Sequence, residues 1–324
     1  MASPYRDNTI FAQDVIKSTW EQTTIVVEKP FGSDRKLVNV KSDNDFVNDY
    51  EDPYVITPYG DHRFPNLWET SDGIINLGWQ ERDFNSISVK LVLLRKTDKK
   101  FDLANKEYLV YKDGSVIMSA YYPSLTLDDC DETLFLVYWY NYGLYFTRGD
   151  IDGATGKTLW RFDPPILLEQ NVRPQKASIV VNEQDGKLNI IYYSGLVAAV
   201  VKAFVSDDKG RTFRQFIVSS EPFRRMVFDI YETPGYSFVM CFVDPGLNQI
   251  KVDRFEYDNG FAFKSFDYVH NESIEQYLGY YFDKTYTHRY FLSFLDIAGG
   301  STVLNVLSST DATKSFILLK SINI

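Results

Sequence analysis

The side chains that could do chemistry in this chain are few and scattered. Its three histidines, His62, His270 and His288, include no pair at a metal-ligand spacing. Cys130 sits in the acidic turn Asp128-Asp-Cys-Asp-Glu132 and Cys241 in the apolar run Ser237 to Val243, so one is expected at the surface and the other in a core, with no disulfide between them. The acidic clusters at 128–132 and at Asp150-Ile-Asp152 offer oxygen ligands, but neither has the spacing of a calcium loop, and both read as solvated turns. There is no glycine-rich phosphate loop and no serine nucleophile elbow. Neither a cofactor nor a metal is expected. What is left is arginine, whose planar fork of donors matches a carboxylate. Arg63 opens Arg63-Phe-Pro-Asn-Leu67, and Arg82 stands beside Asp83 in Gln80-Glu-Arg-Asp83. Such an arginine either holds an anionic ligand, stacks on an aromatic ring, or pairs with a carboxylate of its own sheet.

The elements that must position these residues are short strands. From His62 onward the chain repeats one layout of apolar strands separated by turns, in five units. The units run from Arg63 to Arg95, Tyr122 to Trp160, Pro174 to Val205, Met226 to Tyr257 and Tyr277 to Lys320. Helix-period segments are nearly absent, so the chain is all-β. Ahead of the units, Thr23-Thr-Ile-Val-Val-Glu28 and Lys36-Leu-Val-Asn-Val-Lys41 read as two strands, Ser42 to Pro53 as a loop, and Asp14 to Trp20 as either one helical turn or an extended arm.

One turn organises the repeat. Ser206-Asp-Asp208-Lys-Gly210-Arg-Thr212-Phe213 supplies side-chain acceptors for turn amides at Ser206 and Asp208, a glycine free for positive φ, a hydroxyl, and a ring to pin the turn. Weaker copies recur. Asp258, Gly260 and Phe263 keep the acid, glycine and aromatic positions; Ser309, Asp311, Ser315 and Phe316 keep the hydroxyl, acid and aromatic positions; Asp152 begins a stretched copy ending at Trp160. The steps between the aspartates are about 50 to 56 residues, the length of one four-stranded unit.

The Ser206 to Phe213 order resembles the Asp-box, Ser-x-Asp-x-Gly-x-Thr followed by an aromatic residue, of sialidases and other β-propellers. That resemblance implies four-stranded antiparallel blades around a channel, with six blades favoured over five plus an amino-terminal appendage; a β-sandwich is the other architecture that short strands with regular turns allow. Residues 1–61 are then an arm and strands completing the last blade, shared between the two ends of the chain, and residues 62–324 the remaining blades. Arg63 to Leu67, the Asp72-Gly73 turn and Arg82 also resemble the sialidase motif Arg-Ile-Pro with a later arginine. In that family the first arginine belongs to a three-arginine cluster on the substrate carboxylate, an aspartate is the general acid, and a tyrosine activated by a glutamate is the nucleophile. Arg63 and Arg82 match the two arginines, and Asp83 is the candidate acid although it follows Arg82 at once. Arg173, Arg224, Arg225 and Arg289 are the candidates for the rest of the cluster, and no tyrosine is marked as nucleophile.

Two classes of function follow. The first is a non-catalytic propeller serving as a structural or binding module for protein or glycan partners, as in a virion tail or neck, with homo-oligomers possible. Fold signals beside an incomplete site, and 23 tyrosines, favour it. The second is a sialidase-type exo-glycoside hydrolase. A net charge of −10 without a basic stripe disfavours nucleic acid. The amino terminus has no signal-peptide layout and no apolar run approaches a membrane span, so the chain is expected to be made in a cytoplasm.

Overall fold

In a computed structural model, strands pair almost wholly with their neighbours in sequence. The structure describes residues 13–323 apart from 18–22, 32–33, 43–50, 72–73, 83–89, 98–99, 129, 153–159, 173–176, 182–185, 195–199, 220–223, 232–236, 245–248, 258–260, 271–275, 283–289, 299–300 and 310–316. Six sheets follow one another along the chain. Sheet 1 is β1 (Gln13–Lys17), β2 (Thr23–Phe31), β3 (Asp34–Ser42) and β4 (Glu51–Val55). Sheet 2 is β5 (Asp61–Glu69), β6 (Ile75–Arg82) and β7 (Lys90–Thr97), with its outer position shared by β8 (Lys100–Phe101) and β9 (Glu107–Tyr108) across a 3₁₀ turn at Leu103–Asn105. Sheet 3 is β10 (Val110–Tyr111), β11 (Tyr121–Asp128), β12 (Thr133–Tyr140), β13 (Gly143–Ile151), β14 (Trp160–Phe162) and β15 (Ile166–Gln170).

The last three sheets have four strands each. Sheet 4 is β16 (Ser178–Val181), β17 (Leu188–Ser194), β18 (Val200–Ser206) and β19 (Arg214–Ser219). Sheet 5 is β20 (Arg224–Tyr231), β21 (Ser237–Asp244), β22 (Gln249–Tyr257) and β23 (Phe261–His270). Sheet 6 is β24 (Gln276–Phe282), β25 (Tyr290–Ala298), β26 (Ser301–Ser309) and β27 (Ile317–Asn323). Pairing is antiparallel except between β10 and β14. One edge strand of each sheet touches that of the next in order, β1, β5, β11, β16, β20 and β24, and β24 touches β1 again. This nearly all-β arrangement is β-propeller-like.

Among the described residues the two ends of the chain do not share a sheet, against the expectation of a shared last blade. β1 and β4 complete sheet 1 around the two strands read from the sequence, and β24 to β27 pair among themselves. β4 lies partly in what reads as a loop because it is a short outer strand containing Pro53, the kind of strand that tolerates proline. Residues 14–17 are extended, which resolves the choice between helix and arm.

Burial explains why the strands read as apolar runs rather than alternating ones. All of Thr133 to Trp139 in β12 is buried, and its two faces enter different cores. Phe135, Val137 and Trp139 join Ile179, Leu188, Ile190 and Tyr192 of sheet 4, whereas Leu134, Leu136 and Tyr138 join Trp68 and Leu91 of sheet 2. A period of two thus splits one strand between two inter-sheet cores. Trp139 is 1% exposed; truncating such a ring costs about 3–5 kcal/mol.

The Ser206–Phe213 turn joins β18 to β19. Ser206 Oγ donates to Asp208 Oδ1 (2.8 Å) and accepts from the Gly210 amide (2.7 Å). Asp208 accepts from the Thr212 amide (2.8 Å) and from Thr212 Oγ1 (2.7 Å). Gly210 has φ +79°, and a Cβ there would lie 2.3 Å from Phe146, whose ring meets Phe213 at 5.0 Å. The bonds from Thr212 and Ser206 pull the Asp208 carboxyl down to about 2. Lys209 bridges to Asp128 (2.8 Å) and Asp131 (2.5 Å) of sheet 3, so this turn also fastens two sheets. Of the weaker copies, Ser309 is buried at the end of β26 and Phe263 lies on β23, while Asp258, Gly260, Asp311, Ser315 and Phe316 lie outside the described residues.

Candidate functional site

Arg63 sits where β5 begins, and the local sequence shapes that end. Pro65 has no amide to donate, and the β5–β6 register slips between Arg63 and Asn66, with Phe64 at φ +57°. β11 repeats this at Tyr121-Tyr-Pro-Ser124, where the register slips again and Tyr122 has φ +55°. The two bulges are stitched together. Asn66 Nδ2 donates to the carbonyls of Phe64 (2.8 Å) and Pro123 (3.3 Å), its Oδ1 accepts from the Leu125 amide (3.3 Å), and Gln80 Oε1 accepts from the Tyr122 amide (3.1 Å). Phe64 packs on Tyr122 at 4.8 Å.

The β5–β6 register pairs Arg63 with Gln80 and Asp61 with Arg82, so the four share one face of the ladder. Arg63 and Arg82 are thereby brought together, with Asp61 between them in the pattern. Arg63 Nε donates to both Asp61 oxygens, at 2.9 and 3.0 Å, and its side chain is 7% exposed. The carboxylate on this Nε–H belongs to the chain itself. Asp83, Arg173 and Arg289 lie outside the described residues; Arg224 and Arg225 are placed by backbone alone, Arg224 at the register slip of β20.

On the opposite face of β5 and β6 is a buried polar cluster. Trp79 Nε1 donates to His62 Nδ1 (2.9 Å), and His62 Nε2 bonds the Tyr59 carbonyl. Burial lowers the pKa of His62, against the raising effect of Tyr59 and Glu81, so the ring is neutral. Glu81, 3% exposed, accepts from Lys106 (2.9 Å) and from the Tyr108 hydroxyl (3.3 Å).

A second cluster joins sheets 3 and 4, and sequence reasoning missed it. Glu169 on β15 accepts from the Tyr192 and Ser194 hydroxyls of β17, from Lys202 of β18 (3.0 Å) and from the Gln215 amide of β19. Burial raises the Glu169 carboxyl, but the bonds from Ser194, Tyr192 and Lys202 outweigh it and leave the pKa lowered. Tyr192 is fully buried; desolvation and its bond to Glu169 push the phenol up, the reverse of what a nucleophilic phenolate needs. No local signal marks this group, because its members lie on four strands of two sheets.

The acidic turns are occupied by cations of the chain: Lys209 on Asp128 and Asp131, Lys112 on Asp150 (3.0 Å), Arg161 on Asp152 (3.4 Å). Cys130 is exposed as expected. Among the described residues no helix is long and apolar enough to cross a membrane, and no three His, Cys, Asp or Glu side chains come together as metal ligands.

No family model matches the chain, and no curated protein matches its sequence. Solved structures do match. A protein described as of unknown function from Dyadobacter fermentans is 14% identical with a TM-score of 0.63, over 93% of this chain and 96% of that one. A single-residue mutant of NanB sialidase from Streptococcus pneumoniae is 8% identical with a TM-score of 0.67, and the match covers 91% of this chain and 66% of that chain. A mutant of Aleuria aurantia lectin in complex with α-methyl-L-fucoside is 10% identical with a TM-score of 0.60, over 97% of this chain and 96% of that one. At such identities the likeness is one of fold, a β-propeller-like one.

Proposed function

We propose that the six sheets are six blades of one closed propeller, residues 1–61 supplying the first and residues 62–324 the other five, and that the protein binds glycans without hydrolysing them. The Ser206–Phe213 turn is in this reading an Asp-box, with partial copies around Asp258 and Asp311. The ligand class is suggested by the sialidase and the fucoside-bound lectin among the similar folds. The observation that carries the non-catalytic half is the Asp61–Arg63 pair. The guanidinium that the sialidase resemblance would place on a substrate carboxylate already has one, 2.9 Å away and sheltered from water.

The test is direct. Incubated with a fluorogenic sialoside, the protein is expected to release no fluorophore above background; turnover that Arg63→Ala abolishes would overturn the reading. A second role in assembly with protein partners, including a virion, is favoured by the outer strands of sheets 4 and 6, where Ile217, Ile317 and Leu318 are 67%, 68% and 54% exposed. Mass measured in solution tests it: a species that stays monomeric at all concentrations and retains no partner from its source counts against assembly.

A further inference from the structure

One flank of sheet 3 carries a set of side chains that belongs to none of the polar clusters above. The registers of β12, β13 and β15 align them in two rows. Tyr138, Tyr145 and Leu167 are cross-strand neighbours in one row, and Tyr140, Gly143 and Gln170 in the next. Directly opposed residues of antiparallel strands share a face, as do residues two apart, so all six lie on the same side of the sheet. Tyr138 is buried and stacks on the Tyr145 ring at 5.7 Å and 14°, which backs that ring from below. Tyr140, 42% exposed, meets Tyr145 at 6.1 Å and 55°. Leu167 is 49% exposed. Gly143 lets Tyr145 and Leu167 close over the strand, since a Cβ there would come within 2.9 Å of Tyr145 and 2.8 Å of Leu167. Gln170 is exposed at the end of its row and donates to the Asn141 carbonyl (3.0 Å), which fixes its amide beside the rings.

We infer that this flank, presented by Tyr140, Tyr145, Leu167 and Gln170, is a sugar-binding surface and that its ligand is a neutral pyranose; the inference rests on the glycan-binding reading above. Rings pre-ordered by stacking offer an apolar platform for the C–H face of a sugar at little entropic cost, and an anchored primary amide offers donor and acceptor to the hydroxyls at its edge. Charge selects within the class. The six residues include no Lys, Arg or His, and the chain carries a net charge of −10, so an anionic sugar meets no countercharge from these six and a repelling field around them.

The experiment uses the full chain and four probes: the methyl glycosides of galactose, mannose, fucose and N-acetylneuraminic acid, followed by saturation-transfer NMR and tyrosine fluorescence. At least one neutral glycoside is expected to bind with a Kd of order 1 mM, and the sialoside not at this flank. Tyr140→Ala and Gln170→Ala should each weaken that binding roughly tenfold, whereas Ile217→Ala, an exposed position on the outer strand of sheet 4, leaves it unchanged. Tyr140 and Gln170 are exposed, so unshifted melting curves certify that both variants fold. Neutral binding that survives both substitutions, or that is lost in Ile217→Ala, overturns this site while leaving glycan binding intact. Failure of all four probes overturns both. Tyr140→Ala turning an oligomer into a monomer, with no glycoside bound, assigns the flank to a copy–copy contact and overturns the inference as well.

Discussion

Glu81 and Glu169 are two carboxylates with the same companions, a lysine and a tyrosine hydroxyl, in different surroundings. Glu81 is sealed at 3% exposure and served from within sheet 2, by Lys106 and by Tyr108 of the broken outer strand. Glu169 is 17% exposed and is served across a sheet boundary by donors on β17, β18 and β19. The first has few donors and no water, so each donor matters; the second has several, so each is partly redundant. The difference teaches that a Glu–Tyr pair in such a fold is not by itself catalytic apparatus: one pins an interrupted strand to its sheet, the other clasps two sheets.

The comparison can be broken most sharply at Lys106. Lys106→Ala strands a buried carboxylate and should cost about 3 kcal/mol, read as a lowered urea midpoint. Lys202→Ala, the matching change, should cost only about 1 kcal/mol, because Ser194, Tyr192 and Gln215 still serve Glu169. Equal losses would mean that the two sites are not distinguished by burial. Tyr192→Phe should cost about 0.5–1 kcal/mol and leave unchanged the glycoside binding proposed for Tyr140 and Gln170.

Acid separates the clusters further. Burial holds the His62 pKa below its usual value, so as pH falls through about 6.5 the unfolded chain takes up that proton before the folded one does, and stability drops. His62→Gln should flatten the melting temperature between about pH 7 and pH 5, and Glu169→Gln should not. The Glu169 pKa is lowered instead, so its contribution is complete above its unfolded value near 4.3 and is lost as pH falls below that. Asp208 gives the smallest signal. Its depressed pKa confines its contribution to the same direction, lost on acidification below about pH 4 toward its folded value, and Asp208→Ala should erase that last part of the acid transition.

Much of the fold was legible because propeller-like sheets repeat. The unit spacing, the phase of the Ser206–Phe213 turn between third and fourth strands, and the apolar run of β12 follow from local turn chemistry and from burial on both faces. Sheet 1 was half hidden, since β4 is short and carries Pro53, a poor strand signal on any pattern. At the candidate site, Arg63 was visible as a donor fork, and the period of two in β5 already places Asp61 beside it, a signal that could have been read. Tyr192 and Lys202 are cross-strand partners within sheet 4, but Glu169 could not have been paired with them from spacing, because its approach is set by how sheet 3 packs on sheet 4. The rows of Tyr140 and Tyr145 depend on the β13–β15 register, which a bulge at Leu168 shifts.

Sheet 3 breaks the strand beside β13 with Pro164 and Pro165 between β14 and β15, both of which pair with β13, and β10 covers only the β14 part. Neither proline has an N–H, so that stretch of rim offers carbonyls but no ladder of donors for a foreign strand to complete. A copy meeting this stretch of sheet 3 would find no run of donors to template edge-to-edge growth, a safeguard for a chain dense in tyrosine and phenylalanine.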